Sequence, residues 1–549
     1  MVYCGKASQG CQSCRTRRIK CDKKLPECSQ CIRVGKKCPG YRDQLSLMFR
    51  DESSKVIQKA HAQWGNPESP VDGSQASSTP PEQSGWMIHS TSNRTRRSMS
   101  TSPFTSVELA KIPRRVEPNL DQRGLQFYME RYLLNHPDSP DVPDLQTKYF
   151  GEGDAIQNIM VAVGLAGMSN LLGNKSMNLV ARSKYVTALK QTGQLIGSAT
   201  RGHASVSKPL LSIVTLAMFE VVQGKGSTPA ASSANTHING AIALLRSLLP
   251  IPDAPYGGAR GVLQLMFSML IPSHMADMPL SPGYFECLKA CKQQLEGSPD
   301  QYNVDLCTAI ARLMHLLLPV DETAIIDDRP ATDDRIQQFL EVERTFDCLD
   351  DGLRGVFPFS EHRMESSSPA IFKGRWHKYH EIWRARVWNH FRWARLLLLG
   401  RIVEFTSKYP RSSARVIAAP HIARYYGIIQ KTAEDILISV PSHWHHPALD
   451  NATANRLAAP GQGGTGAAGL PTLLWHLVAA GNAPNVHPDV WDFAHNTLQV
   501  VWKDMGMGHA LALAEMMEDH RTKLQKEAIS LPFLAGDAVD QCDVTTVTR

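Results

Sequence analysis

Six cysteines between residues 11 and 38 constrain this chain more than anything else in it. They read Cys11-Gln-Ser-Cys14, six residues to Cys21, six more to Cys28, then Cys31 and Cys38. Cys28, Cys31 and Cys38 stand 17 positions after Cys11, Cys14 and Cys21, so the segment is two copies of one C-x2-C-x6-C unit. A C-x2-C pair lets two thiolates converge on one tetrahedral ion, and a third cysteine about two helical turns later can reach the same ion. Two units supply six thiolates, whereas two separate tetrahedral zinc ions need eight ligands. The deficit closes if two sulfurs bridge both ions, and the internal symmetry assigns the bridges to Cys11 and Cys28. The expectation is a cage of two structural Zn2+ ions with every thiolate consumed and no open position for catalysis.

Cysteine-dense short segments also occur as disulfide scaffolds in secreted chains. This chain begins Met-Val-Tyr-Cys-Gly-Lys without the apolar core of a signal peptide, which points to a reducing compartment and to metal. Cys4 lies outside the repeat and reads as a bystander.

Between Cys14 and Cys21 lie Arg15, Arg17, Arg18 and Lys20. A short helix so dense in arginine suits the O6 and N7 acceptors of guanine. The second unit places Ile32, Val34 and Gly35 where the first has Arg15, Arg17 and Arg18. It has lost the base-reading groups, and its Arg33, Lys36 and Lys37 suit phosphates instead. Residues 1–50 carry net +9 against +7 for the whole chain, so everything after residue 50 sums to −2. The basic character belongs to the amino end alone, and on a metal scaffold that is the footprint of a nucleic-acid binder.

The spacing, the filling Cys14-Arg-Thr-Arg-Arg-Ile-Lys-Cys21-Asp22 and Pro26 before Cys28 resemble the fungal zinc binuclear-cluster transcription factors, whose module is a known DNA-binding motif. The resemblance covers about 30 residues of 549. It implies a CGG-type triplet read in the major groove, with Arg17 and Arg18 as base readers, and a cis turn at Pro26. It also implies double-stranded DNA and the transcription machinery as partners, a nuclear location and a homodimer as one form of assembly. Arg15, Lys20, Arg33, Lys36 and Lys37 are then expected on phosphates.

At 549 residues the chain exceeds one ordinary domain, and 42% hydrophobic content means that much of it folds. No run of 18 apolar residues appears; Leu396 to Leu399 is the nearest approach, broken by Arg392, Arg395 and Arg401, so no membrane partner is expected. Residues 42–119 are expected as a linker, with one short amphipathic helix near Leu45 to Ile57 and a Ser/Pro-rich part that cannot bury enough to fold. Arg94-Thr-Arg-Arg-Ser98 within it suits an import element, a phosphorylation element or a solubilising patch equally.

From about residue 120 helical periodicity dominates. It runs through Ile156 to Leu172, Met177 to Ile196, Leu210 to Val222, His237 to Leu249, Asp305 to Leu318, Arg335 to Leu349, Trp376 to Phe405, His421 to Leu437, Leu470 to Ala480 and Trp491 to Leu524. The expected fold class is mostly α: a zinc head at 11–41, an all-α body at 120–530 and a flexible tail at 531–549. His237-Ile-Asn-Gly-Ala241 and Leu473-Leu-Trp475-His-Leu477 resemble landmarks of the fungus-specific helical regulatory domain.

No catalytic constellation emerges from the body. Gly461-Gln-Gly463-Gly464-Thr-Gly466 lacks the preceding strand that a dinucleotide loop requires. Gly224-Lys225-Gly226-Ser227 has Phe219 where a phosphate loop needs glycine. His377, His380 and Glu381 on one helix, and His443, His445 and His446 on a turn, do not make H-E-x-x-H. Cys287 and Cys291 are expected as buried small hydrophobes. Trp376 to Trp393 is expected to place its tryptophans in the core and its arginines on a wet face. The acidic residues Asp321, Glu322, Asp327, Asp328, Asp333 and Asp334 read as a loop between helices, or as an activation segment. Rival readings are a co-regulator or scaffold with weak DNA binding, and a regulator whose body senses a metabolite.

Overall fold

The computed structural model describes residues 11–17, 19–22, 28–36, 38–39, 119–133, 153–200, 206–224, 226–247, 249–251, 258–318, 325–364, 368–459 and 466–530. The expected linker up to residue 118, Pro26, Arg94 to Ser98, Asp321 and Glu322, Gly461 to Thr465 and the tail from 531 lie outside these. The chain divides into two units, Met1–Leu109 and Ala110–Arg549.

In the first unit the described elements are two short helices, α1 (Gln12–Thr16) and α2 (Ser29–Ile32), each beginning one residue after the first cysteine of its repeat. The pseudo-symmetry extends to the backbone: Ile19 N donates to Cys14 O at 3.0 Å, and Lys36 N, 17 positions on, donates to Cys31 O at 3.1 Å. The core of this unit is the cysteines themselves.

The second unit is helical. It runs α3 (Leu120–Tyr128, continued by a π turn Met129–Leu133), α4 (Asp154–Leu172), α5 (Lys175–Thr200), α6 (Ser207–Gln223), α7 (Ser227–Arg246), α8 (Gly258–Met275), α9 (Pro282–Leu295), α10 (Gln301–Leu317) and α11 (Pro330–Val356). After strands β1 (Phe359–Arg363) and β2 (Arg375–Tyr379) come α12 (Ile382–Lys408), α13 (Pro410–Val416), α14 (Ala419–His443), α15 (Asn451–Leu457), α16 (Gly466–Gly481), α17 (Pro488–Met505) and α18 (Gly508–Ser530). The strands pair antiparallel from Phe359 opposite Tyr379 to Arg363 opposite Arg375.

One continuous core runs through this body. Its axis is α12, in which 19 of 27 residues are buried, polar Arg386, Asn389, His390, Arg392 and Arg395 among them. It packs against α11, α14 and α16. The carboxyl end closes onto the amino end: Tyr132 Oη donates to Met505 O at 2.6 Å, and Asn170 Nδ2 donates to both Val222 O and Gly506 O at 2.8 Å.

Several expectations are corrected. Trp376 to Phe405 is not one helix, because residues 375–379 form β2, where Trp376, His377 and Tyr379 are all buried. His377 therefore lies on a strand, and His443 is the last residue of α14 rather than part of a turn. Arg386, Arg392 and Arg395 do not face water; they are 8%, 3% and 7% exposed. Trp491 to Leu524 is two helices, broken where Gly506 takes φ +65°. The helices α8, α9, α13 and α15 carried no expectation. Among the described residues the long apolar helix is Asp154–Leu172; 12 of its 19 residues are buried inside the protein, so it serves as a core helix.

Candidate metal centre and nucleic-acid interface

The repeat brings its sulfurs together through the two short helices. Cys11 Sγ lies 3.7 Å from Cys28 Sγ and 3.7 Å from Cys31 Sγ, and Cys14 Sγ lies 3.7 Å from Cys28 Sγ. These are free cysteines, far beyond the ~2.05 Å of a disulfide. Four sulfurs at about 2.3 Å from a central ion sit about 3.8 Å apart along the tetrahedron's edges, so the spacing fits zinc–thiolate coordination.

Two four-sulfur groups satisfy that geometry: Cys11, Cys14, Cys21 and Cys28, and Cys11, Cys28, Cys31 and Cys38, with the sulfurs of each group within 4.8 Å of one another. Cys11 and Cys28 belong to both. The six donors thus make two complete tetrahedra only by sharing that pair, and two zinc ions are what the donor set fits. When bound, zinc supplies structural cross-links between the halves, and the closed sulfur set leaves no position for a substrate.

Around the cage, backbone amides and neighbouring thiols act on the sulfurs in opposite directions. Cys14 N donates to Cys11 Sγ at 3.4 Å, which lowers that thiol's pKa, but burial and the neighbouring thiols of Cys14 and Cys31 outweigh it and leave Cys11 pushed up to about 12. Cys28 is raised as well, first by burial and then by contact with Cys31. Asp22 accepts from Ser29 N at 3.1 and 3.3 Å, so its carboxylate caps α2 at the end where the helix dipole favours negative charge.

The cationic residues surround the sulfurs unevenly. Lys20, Arg33 and Lys36 are exposed. Arg17 is half-buried, with Nε donating to Ser13 O and Nη2 to Gln30 O, each at 3.3 Å. One expected base reader therefore also ties α1 to α2. Arg18 and Lys37, and the side chain of Arg15, fall outside the described residues. The cap by Asp22 and the tie from Arg17 were not anticipated; the legible signal was only that Asp22 stands seven residues before Ser29. Ile19, Ile32 and Val34 are 39%, 62% and 47% exposed.

In the body, Cys287 and Cys291 are buried on α9, as expected. Gly224 and Gly226 are turn residues, one ending α6 at φ +57° and the other preceding α7 at φ +101°. Asp327 accepts from the amides of Arg411 and Ser412 at the start of α13, while Asp328 and Asp333 hold Arg415. These carboxylates are engaged in folding the body. Among the described residues the groups with metal-ligand geometry are the two cysteine sets.

Residues 9–47 match the fungal Zn(2)-Cys(6) binuclear cluster domain, and this segment of the chain is such a domain, a module built to hold two zinc ions. Two curated relatives share it. The chain is 49% identical over 37 residues to the aspercryptin biosynthesis cluster-specific transcription regulator atnN of Emericella nidulans, covering 7% of this chain and 6% of the relative. It is 53% identical over 38 residues to white-opaque regulator 2 of Candida albicans, covering 7% and 8%. The similarity thus spans less than a tenth of each relative's length and stops short of the helical body. No solved structure matches the chain.

Proposed function

We propose that this protein is a sequence-specific DNA-binding transcription regulator that acts in the nucleus on genes read by RNA polymerase II. The observation that carries the reading is the pair of four-sulfur groups sharing Cys11 and Cys28, inside a segment that matches the fungal cluster domain and that carries the chain's positive charge. The relatives named above are transcription regulators by their descriptions, and the same role is assigned here.

In this reading Arg17 and Arg18 read a CGG-like triplet in the major groove, each pairing its fork with guanine O6 and N7. Arg15, Lys20, Arg33, Lys36 and Lys37 hold phosphates and set register. The exposure of Lys20, Arg33 and Lys36 supports the phosphate role. The layout is a head at 11–41, a linker at 42–119, a regulatory body at 120–530 and a tail at 531–549, with no catalysis assigned to the body. Homodimerisation and contact with the transcription machinery belong to the same proposal.

The test is selection of the full-length protein against a randomised duplex library, with zinc and with chelator, at two salt concentrations. Zinc-dependent enrichment of a CGG-like triplet is expected. Salt-sensitive binding without enrichment would reduce the head to a charge anchor and favour a scaffold or co-regulator. A metabolite-sensing body is the second reading, favoured by one cavity described next.

A further inference from the structure

Between α11, α12 and α14 the body holds a cavity of about 410 Å3, within the ~300–1,000 Å3 range of small-molecule sites. Its lining is charged. Part of that charge is already paired: Arg395 is held by Asp347 and, at 3.2 Å, by Asp350, which also lies 2.9 Å from Arg354.

The rest makes no close ion pair among the described residues. Arg392 is 3% exposed, and its Nη1 donates to Tyr379 Oη at 2.7 Å and Asn389 Oδ1 at 2.9 Å, while Nη2 lies 3.4 Å from His377 Nδ1. The rings of Phe359 and Trp388 flank the guanidinium at 5.1 and 5.5 Å. Tyr379 and Asn389 are neutral, and burial, foremost, keeps His377 uncharged as well. Among the described residues no carboxylate comes within ion-pair distance of Arg392, Arg424 or Lys431, all of which line the cavity. Asp435, on the same lining, accepts no hydrogen bond among the described residues; the neutral His377 ring stands beside it, Nε2 at 3.8 Å. A buried guanidinium ordinarily has a carboxylate beside it, because an uncompensated buried cation is costly. Here Asp435 supplies the nearby opposite charge, acting on Arg392 and Lys431 without closing to ion-pair distance, and the cavity stands beside them.

We propose that this cavity binds a small organic anion that carries carboxylates together with a hydroxyl or amino donor. Its carboxylates sit on Arg392, Arg424 and Lys431, where the planar fork of arginine favours bidentate contact, and its donor sits on Asp435. Arg424 and Lys431 are exposed and admit the ligand, while Arg392 marks the deep end. Occupancy joins α12 to α14 through one ligand, against the wall that α11 supplies. That such a ligand acts as an effector rests on the regulator reading, whereas its binding does not.

The test is calorimetric titration of the full-length zinc-loaded protein with citrate, L-glutamate, tricarballylate (citrate without its hydroxyl) and inorganic phosphate at constant ionic strength, with DNA binding measured in parallel. Citrate or glutamate is expected to bind, tricarballylate more weakly than citrate, and Arg424→Gln and Lys431→Gln each to weaken binding at least tenfold. Both substituted side chains are exposed and make no ion pair among the described residues, and circular dichroism of each variant checks its fold. Failure of both citrate and glutamate to bind, unchanged affinity in the two variants, or phosphate binding as tightly as citrate would each overturn the site. DNA binding without anion binding would remove the site and leave the regulator reading standing; anion binding without DNA binding would do the reverse.

Discussion

The sulfur of Cys11 lies 3.7 Å from that of Cys28, its counterpart in the other repeat, and these two alone belong to both four-sulfur groups. Every other cysteine of the head serves one group. Loss of a shared sulfur therefore opens both tetrahedra, and loss of an unshared one opens a single tetrahedron.

Cys11→Ser is accordingly expected to abolish stoichiometric zinc and with it the ordered head, because in small metallo-domains metal-binding energy is folding energy. Cys38→Ser is expected to retain one ion more firmly than Cys11→Ser does. Zinc content by metal analysis, paired with the circular dichroism of the two variants, separates the cases. Equal zinc loss in both would show that the sulfurs are not shared.

The two halves of the head should differ in what they read. Arg18→Ala is expected to relax triplet preference at a cost of about 1–3 kcal/mol, whereas Lys36→Ala weakens matched and scrambled duplexes alike and reduces the salt slope by about one ion. Arg17→Ala should do more than remove a base contact, since Arg17 also holds Gln30 O on α2, and its variant should show lowered head stability besides lowered specificity. Salt-titrated fluorescence anisotropy on both duplexes measures all three.

Acid should destabilise the body through its buried histidines. Burial, foremost, lowers His390 and His509 each to about 4 from an ordinary 6.5. The unfolded chain binds protons that the native state refuses, so this contribution is fully present above pH 6.5 and is lost as pH falls toward 4. The slope is up to about 1.4 kcal/mol per pH unit for each residue. Urea unfolding at pH 7, 6, 5 and 4.5 should show it, and His509→Gln should make the fall shallower.

Two glycines in neighbouring helices should respond to alanine with opposite signs. Gly193 on α5 has nothing within 4 Å of an added Cβ, so Gly193→Ala should stabilise by the usual ~0.5–1 kcal/mol of helix propensity. At Gly164 on α4 the same Cβ would stand 1.8 Å from Gly124 O on α3, a backbone atom that cannot swing aside. Gly164→Ala should destabilise by about 1–3 kcal/mol as overpacking overrides propensity. Thermal melts of the pair decide it.

The head was legible because its information is local. Seventeen-residue spacing, tetrahedral coordination and the count of six thiolates call for two shared sulfurs, internal symmetry assigns them to Cys11 and Cys28, and both four-sulfur groups contain that pair. The charge of Lys20, Arg33 and Lys36 is likewise a local property. Nothing local announces that Arg17 reaches Gln30, because that contact exists only once the cage has folded the halves together.

In the body, periodicity located most helices but misread those whose character depends on what surrounds them. Trp376, His377 and Tyr379 join β2 because the hairpin partner Phe359 to Arg363 and the α14 residue Ser442, whose hydroxyl donates to His377 O, wait on either side. The arginines of α12 carried a pattern of wet positions, yet Arg392 is buried against Phe359, Tyr379 and Trp388.

Residue identity by itself determined a two-zinc cage with a basic surface and a helical remainder, since metal coordination number, charge and helical period are written in spacing. Tertiary structure alone decided which helix lies at the centre of the body, which cations are buried there, and where a cavity lines up Arg392, Arg424 and Lys431. Those depend on side chains brought together from α11, α12 and α14 across about 90 residues of chain, and burial converts an ordinary surface charge into a group that needs a partner.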